Sequence, residues 1–188
     1  MKPYPAGSEV EYRVTWLEMT ERPGWDWPSL PAGEAASLLR AEAPPVWYFR
    51  ALYDAVGRDH AWEDLHAEPD EALAAWLGDP AVGLWSLIRG GWPQGFFILD
   101  ARAEGASELA LFGLVPEAIG RGLGRYLLRT AVLTAWERPG MARLEVNTCS
   151  LDHPRALALY QRHGFAPVRQ ETRRRRLTRP LDPRRWRP

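Results

Sequence analysis

The chain has 188 residues, 46% hydrophobic and 26% charged, with 24 basic against 24 acidic side chains and a net charge of zero. That length fits a single domain with a substantial core, and the neutral balance argues against general affinity for nucleic acid or membrane surfaces. Cys149 is the one cysteine, so no internal disulfide is possible. No apolar run approaches the roughly 20 residues of a membrane span. The start, MKPYPAGSEVEYRV, lacks the apolar stretch of a secretory signal, so a cytoplasmic location is expected. Lys2 is the only lysine, which reads as a genome bias of bacterial kind and not as function. Ten tryptophans point to aromatic pockets or simply to a bulky core.

Glu9–Met19 alternates β-branched and aromatic residues and reads as a strand. The Pro-, Gly- and Trp-rich TERPGWDWPSLPAGE after it reads as a loop. PPVWYFRALYDAVG, with prolines before it and Gly57 at its end, reads as a helix; so does EPDEALAAWLGDP, with Asp70 as N-cap and Gly78 as terminator. Residues 81–105 look like two strands joined by a turn at Gly90-Gly91. SELALFGLV is almost continuously apolar and so a central strand of the same meander. From Gly122 to Trp136 apolar residues recur at helical spacing. ARLEVNTC is the next strand, HPRALALYQRHG a helix, and FAPVRQETRRRRL begins as a strand and ends in a basic run. The order β-α-α-β-β-β-α-β-α-β gives a mixed α/β sheet in one domain spanning 1–188, with its core at about 9–177 and an Arg/Pro tail.

The stretch VPEAIGRGLGRYLL places Gly120, Gly122 and Gly124 between a strand and a helix. Such turns hold phosphates because helix-start N–H groups lack partners and sit at the positive dipole end, while glycine lets the backbone approach an anion. The G-x-G-x-G spacing departs from the dinucleotide pattern G-x-G-x-x-G, and Arg125-Tyr126 stands where a nucleotide-triphosphate loop needs Lys-Ser/Thr. A coenzyme A pyrophosphate cradle and a merely tight turn both remain open.

Read together, VPEAIGRGLG and LDHPRALALYQRHGF resemble the two signature motifs of the GNAT acyltransferase superfamily. Ala156, Tyr160, Gly164 and Phe165 fill the second motif at the family spacing, and the resemblance covers roughly Val82 to Phe165. Ile119 stands where the family has Gln or Arg, and His153 where Asn is common. The resemblance implies a mixed, mostly antiparallel sheet flanked by helices. It also implies transfer of an acetyl group from acetyl-CoA to a primary amine of a small molecule, by direct attack in a ternary complex and with no metal. In that reading Ile119, Gly120, Arg121, Gly122, Leu123, Gly124 and Arg125 hold the pyrophosphate. Phe112, Gly113, Leu114 and Val115 pair with the pantetheine arm, and His153 and Ala156 contact it. A backbone N–H near Leu114 polarises the thioester carbonyl. Gly113 fits a bulge, a close approach or a packing glycine equally well.

Amine acylation further needs a base and a partner for the departing thiolate. Tyr160 is the candidate proton donor to sulfur. Glu108, opening the central strand, is the candidate base by resemblance to the histone-acetylating branch, with Glu145 as an alternative and a water chain as another. Cys149 as an acylated nucleophile lacks an evident His partner, and His60 and His66 read as surface residues. For the acceptor, Trp16, Trp25, Trp27, Trp47, Tyr48 and Trp62 offer an aromatic wall. Glu18, Asp26, Glu63 and Asp64 offer attraction for a positive charge. Arg173–Arg176 reads as a solvated strand face or as contacts to a second subunit of a homodimer, not as a nucleic-acid site. A protein acceptor, and a non-catalytic acyl-CoA-binding module, are the rival readings.

Overall fold

The structure is a computed structural model and describes residues 3–33 and 35–182; the tail expected at 183–188 lies outside the described residues. Seven strands form one sheet. They are β1 (Glu9–Met19), β2 (Ala36–Arg40), β3 (Val82–Arg89), β4 (Trp92–Asp100), β5 (Ala106–Leu114), β6 (Arg143–Cys149) and β7 (Ala166–Arg176). The helices are α1 (Val46–Gly57), α2 (Asp70–Leu77), α3 (Leu123–Trp136) and α4 (Ala156–Arg162).

The spatial order is β2-β3-β4-β5-β6-β1-β7, antiparallel throughout except for the β5–β6 pair. SELALFGLV is thus central, as its continuous apolarity requires. Its neighbour β4 shows the same logic: Phe96, Phe97 and Ile98 are all fully buried, so both faces of the sheet are covered there. The turn between β3 and β4 has Gly90 and Gly91 at φ 61° and 85°, the left-handed backbone that glycine tolerates.

Four expectations need correction. The stretch before α1 contains a strand, β2, which lies at the sheet edge against β3. Asp70 is the first residue of α2, not its cap; its carboxylate instead binds Arg50 Nη2 at 2.7 Å. The helix of HPRALALYQRHG is confined to Ala156–Arg162, because Pro154 and the turn before it lie outside. The basic run does not follow the last strand but forms its end, since β7 continues to Arg176.

Where β5 and β6 part, the sheet opens. Their parallel pairing covers only Ala106↔Arg143, Ser107↔Leu144 and Glu108↔Glu145. Immediately beyond it, Ile98 pairs with Leu111 while Leu99 pairs with Leu109, which leaves Ala110 as a bulge. A bulge bends its strand and adds twist, so β5 turns away from β6. The bulge expected near Gly113 therefore sits three residues earlier. Gly113 serves a close approach instead: a Cβ there would overlap the Val56 side chain of α1.

Candidate functional site

The splay between β5 and β6 opens into a cavity of about 830 Å³, toward the upper end of the ligand-site range of roughly 300–1,000 Å³. One end lies at the start of α3 and along α4. There the cavity meets Ile119, Gly120, Gly124, Arg125, His153, Arg155, Ala156 and Arg162. The middle is the free edge of β5, with Phe112, Gly113 and Leu114, and Tyr160 on the facing helix. The other end is walled by Tyr12 and Trp16 of β1, by Trp62 after α1, and by Arg169, Arg173 and Arg175 of β7.

The glycine turn has the geometry an anion cradle needs. Gly120 and Gly122 have φ of 88° and 78°, and nothing lies within 4 Å of a Cβ built on Gly120. Gly122 is the N-cap of α3 and supplies no side chain to cap it. The next intrahelical bond is Tyr126 N to Gly122 O at 3.3 Å, so the N–H groups of Leu123, Gly124 and Arg125 lack intrahelical acceptors. Gly124 is already helical.

Some expected cofactor residues do not face the cavity. Val115 is buried, and its N–H is taken up by the Gln94 carbonyl at 2.9 Å. Leu123 is fully buried, so only its backbone is available. Arg121 and Gly122 also lie off the cavity wall. Ile119 does reach it and is 37% exposed, an apolar side chain at the cradle's rim.

Tyr160 is buried, with its ring edge-on to Phe112 and Phe165 at 6.2 and 5.8 Å. Burial first, and then the Asp152 charge, hold its phenol far above the ordinary value. It therefore stays protonated. Its O–H has no hydrogen-bond partner among the described residues and is available to a ligand.

Glu108 does not line the cavity. It is half-buried beside Asn147, which does line it and whose amide donates to the Glu108 carboxylate at 3.3 Å. Burial raises the Glu108 pKa, and the neighbouring Asp100 and Glu145 charges push the same way. Cys149 is likewise pushed up, to about 12, chiefly by burial and then by Asp152. At neutral pH it is a thiol and a poor nucleophile.

Of the aromatic residues expected around an acceptor, Trp16 and Trp62 reach the cavity. Trp27 and Trp47 are exposed elsewhere, Trp25 packs edge-on to His163 at 5.6 Å, and the Tyr48 hydroxyl binds Ser86 at 2.8 Å. The expected acids largely fall away too. Glu18 and Asp26 are not at the cavity, and Asp64, which is, binds Arg175. Glu63 is buried, accepts from Thr178 N at 3.1 Å and lies 3.6 Å from Arg179. His60 is buried and lines the cavity, against the surface reading, whereas His66 is exposed and pairs with Asp54 at 3.0 Å.

Asp152 is the carboxylate that sequence reasoning missed. It accepts hydrogen bonds from Trp62 Nε1 at 3.1 Å, Thr148 Oγ1 at 2.8 Å and Cys149 N at 2.7 Å. It faces the cavity, and among the described residues no arginine pairs with it. Its position directly before His153, in the second motif, was the available signal. Arg155 and Arg162 were missed as well, although each lies within that motif.

Residues 35–165 match the model of the acetyltransferase (GNAT) family. The chain belongs to the GNAT acetyltransferase family. GNAT-type solved structures share the fold. A GCN5-related N-acetyltransferase from Sphaerobacter thermophilus superposes with a TM-score of 0.64 at 18% identity, covering 96% of this chain and 54% of that one. One from Kribbella flavida gives 0.57 at 22% identity, covering 93% and 60%. Among curated proteins, a mycothiol acetyltransferase of Beutenbergia cavernae is 29% identical over 163 residues, 75% of this chain and 52% of the relative. Another, of Jonesia denitrificans, is 43% identical over 75 residues, 39% of this chain and 23% of the relative. The chain thus spans about half or less of the length of these curated relatives.

Proposed function

We propose that this GNAT chain transfers an acetyl group from acetyl-CoA to a primary amine of a small molecule by direct attack. The observation that carries the reading is the splay of β5 from β6 directly beside the left-handed glycine turn. It supplies a free strand edge and unpartnered helix-start N–H groups in one cavity.

The backbone from Gly120 to Arg125 holds the pyrophosphate, and Arg125, Arg155 and Arg162 add positive charge at that end. With Ile119 at the rim, these groups take the place of the polar side chain common in the family. The edge of β5 at Phe112, Gly113 and Leu114 takes the pantetheine arm as an added strand; His153 and Ala156 lie opposite. Val115 has no free N–H to contribute. Arg121, Gly122 and Leu123 act through the backbone of the turn.

Bound acetyl-CoA supplies the thioester: the amine nitrogen forms a bond to the acetyl carbon, the carbon–sulfur bond breaks, and CoA leaves as thiolate. A backbone N–H near Leu114 polarises the carbonyl. Tyr160 donates a hydrogen bond to the departing sulfur. Its raised pKa makes complete proton transfer to a thiolate of ordinary pKa near 8.5 uphill, so donation without transfer is its role. The proton lost by the amine passes through solvent beside Asn147 to Glu108, whose raised pKa makes it a better acceptor than an ordinary carboxylate. Cys149 takes no covalent part.

Both curated relatives are named for acetylation connected with mycothiol, which supports a small-molecule acceptor. The test is a panel of amines, peptides and proteins with acetyl-CoA, reading release of free CoA. Turnover with a small amine is expected. Turnover with peptides or proteins alone would move the acceptor class, and stabilisation by acetyl-CoA with no turnover at all would favour a non-catalytic module.

A further inference from the structure

The acceptor end of the cavity carries a charge arrangement that selects its ligand. Arg169 and Arg173 both lie over the Trp16 ring, with guanidinium carbons 3.8 and 4.9 Å from its centroid. Both also bind Glu171: Arg169 Nη1 reaches one carboxylate oxygen at 2.6 Å, and Arg173 Nε and Nη2 reach the other at 3.1 and 2.8 Å. Two guanidiniums share one carboxylate, which leaves one positive charge in surplus. Each guanidinium has five N–H donors, and Glu171 takes only a few of them.

Both arginines line the cavity, and ring and carboxylate already orient them, so binding an anion orders them at little further entropic cost. Nearby acids do not cancel the surplus, since Asp64 binds Arg175 and Glu11 binds Arg174. Across the cavity stands Asp152, with three hydrogen-bond donors and, among the described residues, no cation paired with it. The strand register relates the two poles. Glu171 pairs with Val14, and Val14 with Cys149, whose N–H binds Asp152. The poles are therefore about two interstrand spacings apart, on the order of 10 Å.

We propose that the acceptor is an amine that also bears an anionic group, a carboxylate or phosphate. The anion is held by Arg169 and Arg173, and the ammonium is directed to Asp152. This rests on reading the cavity as an acyl-acceptor site and names the class of molecule it takes. The acidic residues expected to draw a simple cation give way to a two-pole site.

The test is calorimetric titration of the full chain, with and without saturating CoA. The ligands are matched pairs: an L-amino acid against its amide, in short and long side-chain versions, and phosphoethanolamine against ethanolamine. The acidic member of at least one pair should bind at least about tenfold tighter, and the pair showing it tells carboxylate from phosphate. Arg169→Gln and Arg173→Gln should lose that preference. Glu171→Gln, which removes the one negative charge that the two guanidiniums share, should increase it, so the outcome does not depend on one variant folding. Asp152→Asn should weaken the amino acid but not the same acid lacking its amine. Equal binding of acids and amides, or no binding by any acid, overturns the proposal. Acid preference in a chain that acetyl-CoA does not stabilise leaves the two-pole site standing and overturns the transfer reading. Stabilisation by acetyl-CoA without acid preference does the reverse.

Discussion

The Trp62 indole N–H donates to the Asp152 carboxylate at 3.1 Å, joining the segment after α1 to the turn before α4 in the cavity wall. Trp62 also stacks at a tilt on Tyr53, ring centroids 5.4 Å apart, so the bond is anchored to α1 by packing. Trp62→Phe keeps most of the aromatic surface and removes one of three donors to a carboxylate. Hydrogen bonds to charged groups contribute about 1.5–3 kcal/mol, and a loss of that order is expected in urea unfolding. The acceptor KM should rise while the acetyl-CoA KM stays. Unchanged stability would mean that water replaces the indole at no cost.

Gly113→Ala should destabilise by about 1–3 kcal/mol, the usual cost of forcing extra atoms into a packed interior, because the new Cβ overlaps Val56. The double variant with Val56→Ala should recover part of that loss, the signature of direct coupling between neighbours. Additive losses would place the strain elsewhere.

At the turn, Gly120→Ala should lower stability by roughly 1 kcal/mol or more, because its φ of 88° is left-handed. Gly124→Ala should not, since Gly124 is helical and its Cβ would meet Leu114 at an ordinary 3.5 Å. Melting temperatures of the two variants decide this, and equal losses would contradict it.

Glu108→Gln separates a base from a bystander in two readouts. The wild-type kcat/KM should fall as pH drops through the raised Glu108 pKa, since a base must be ionised, and the variant should lose that acidic limb. Stability runs the other way. A carboxyl whose folded pKa is raised adds stability below its unfolded pKa and loses it as pH rises through the folded one. The variant should therefore be more stable than wild type at pH 7, with the gap closing below about pH 4.3. An intact acidic limb would remove Glu108 as base.

Tyr160→Phe should lower kcat by about ten- to a hundredfold with little change in acetyl-CoA affinity, as expected for a donor that acts on charge developing in the transition state. An unchanged kcat would leave Tyr160 as a core residue packed on Phe112 and Phe165.

Much of this was legible locally. The apolar run of β5, the helical stripe of α3 and each of the two motifs could be read, because each of those signals is confined to one short stretch of chain. The strand β2 was not legible: it is five residues long at the sheet edge, with Ser37, Leu39 and Arg40 exposed and none buried, so no apolar run marks it. The arginine run could be read as basic but not located, because only the β1–β7 pairing sets Arg173 opposite Tyr12 and Arg169 opposite Trp16, with both guanidiniums over the Trp16 ring. Asp152 owes its role to Trp62, 90 residues earlier in the chain, and no spacing rule reaches that far. Glu108 was placed correctly on β5, yet its separation from the cavity by Asn147 depends on how β6 lies alongside.

The most direct measurement is thermal unfolding of the wild-type chain titrated with acetyl-CoA. At about one hundred times Kd a ligand adds about 2.7 kcal/mol, so the midpoint should climb by about 5–10 °C for a chain of this size. Gly120→Ala should need more acetyl-CoA for the same rise. A midpoint that stays fixed at every acetyl-CoA concentration would contradict the assignment of the splayed cavity to acetyl-CoA.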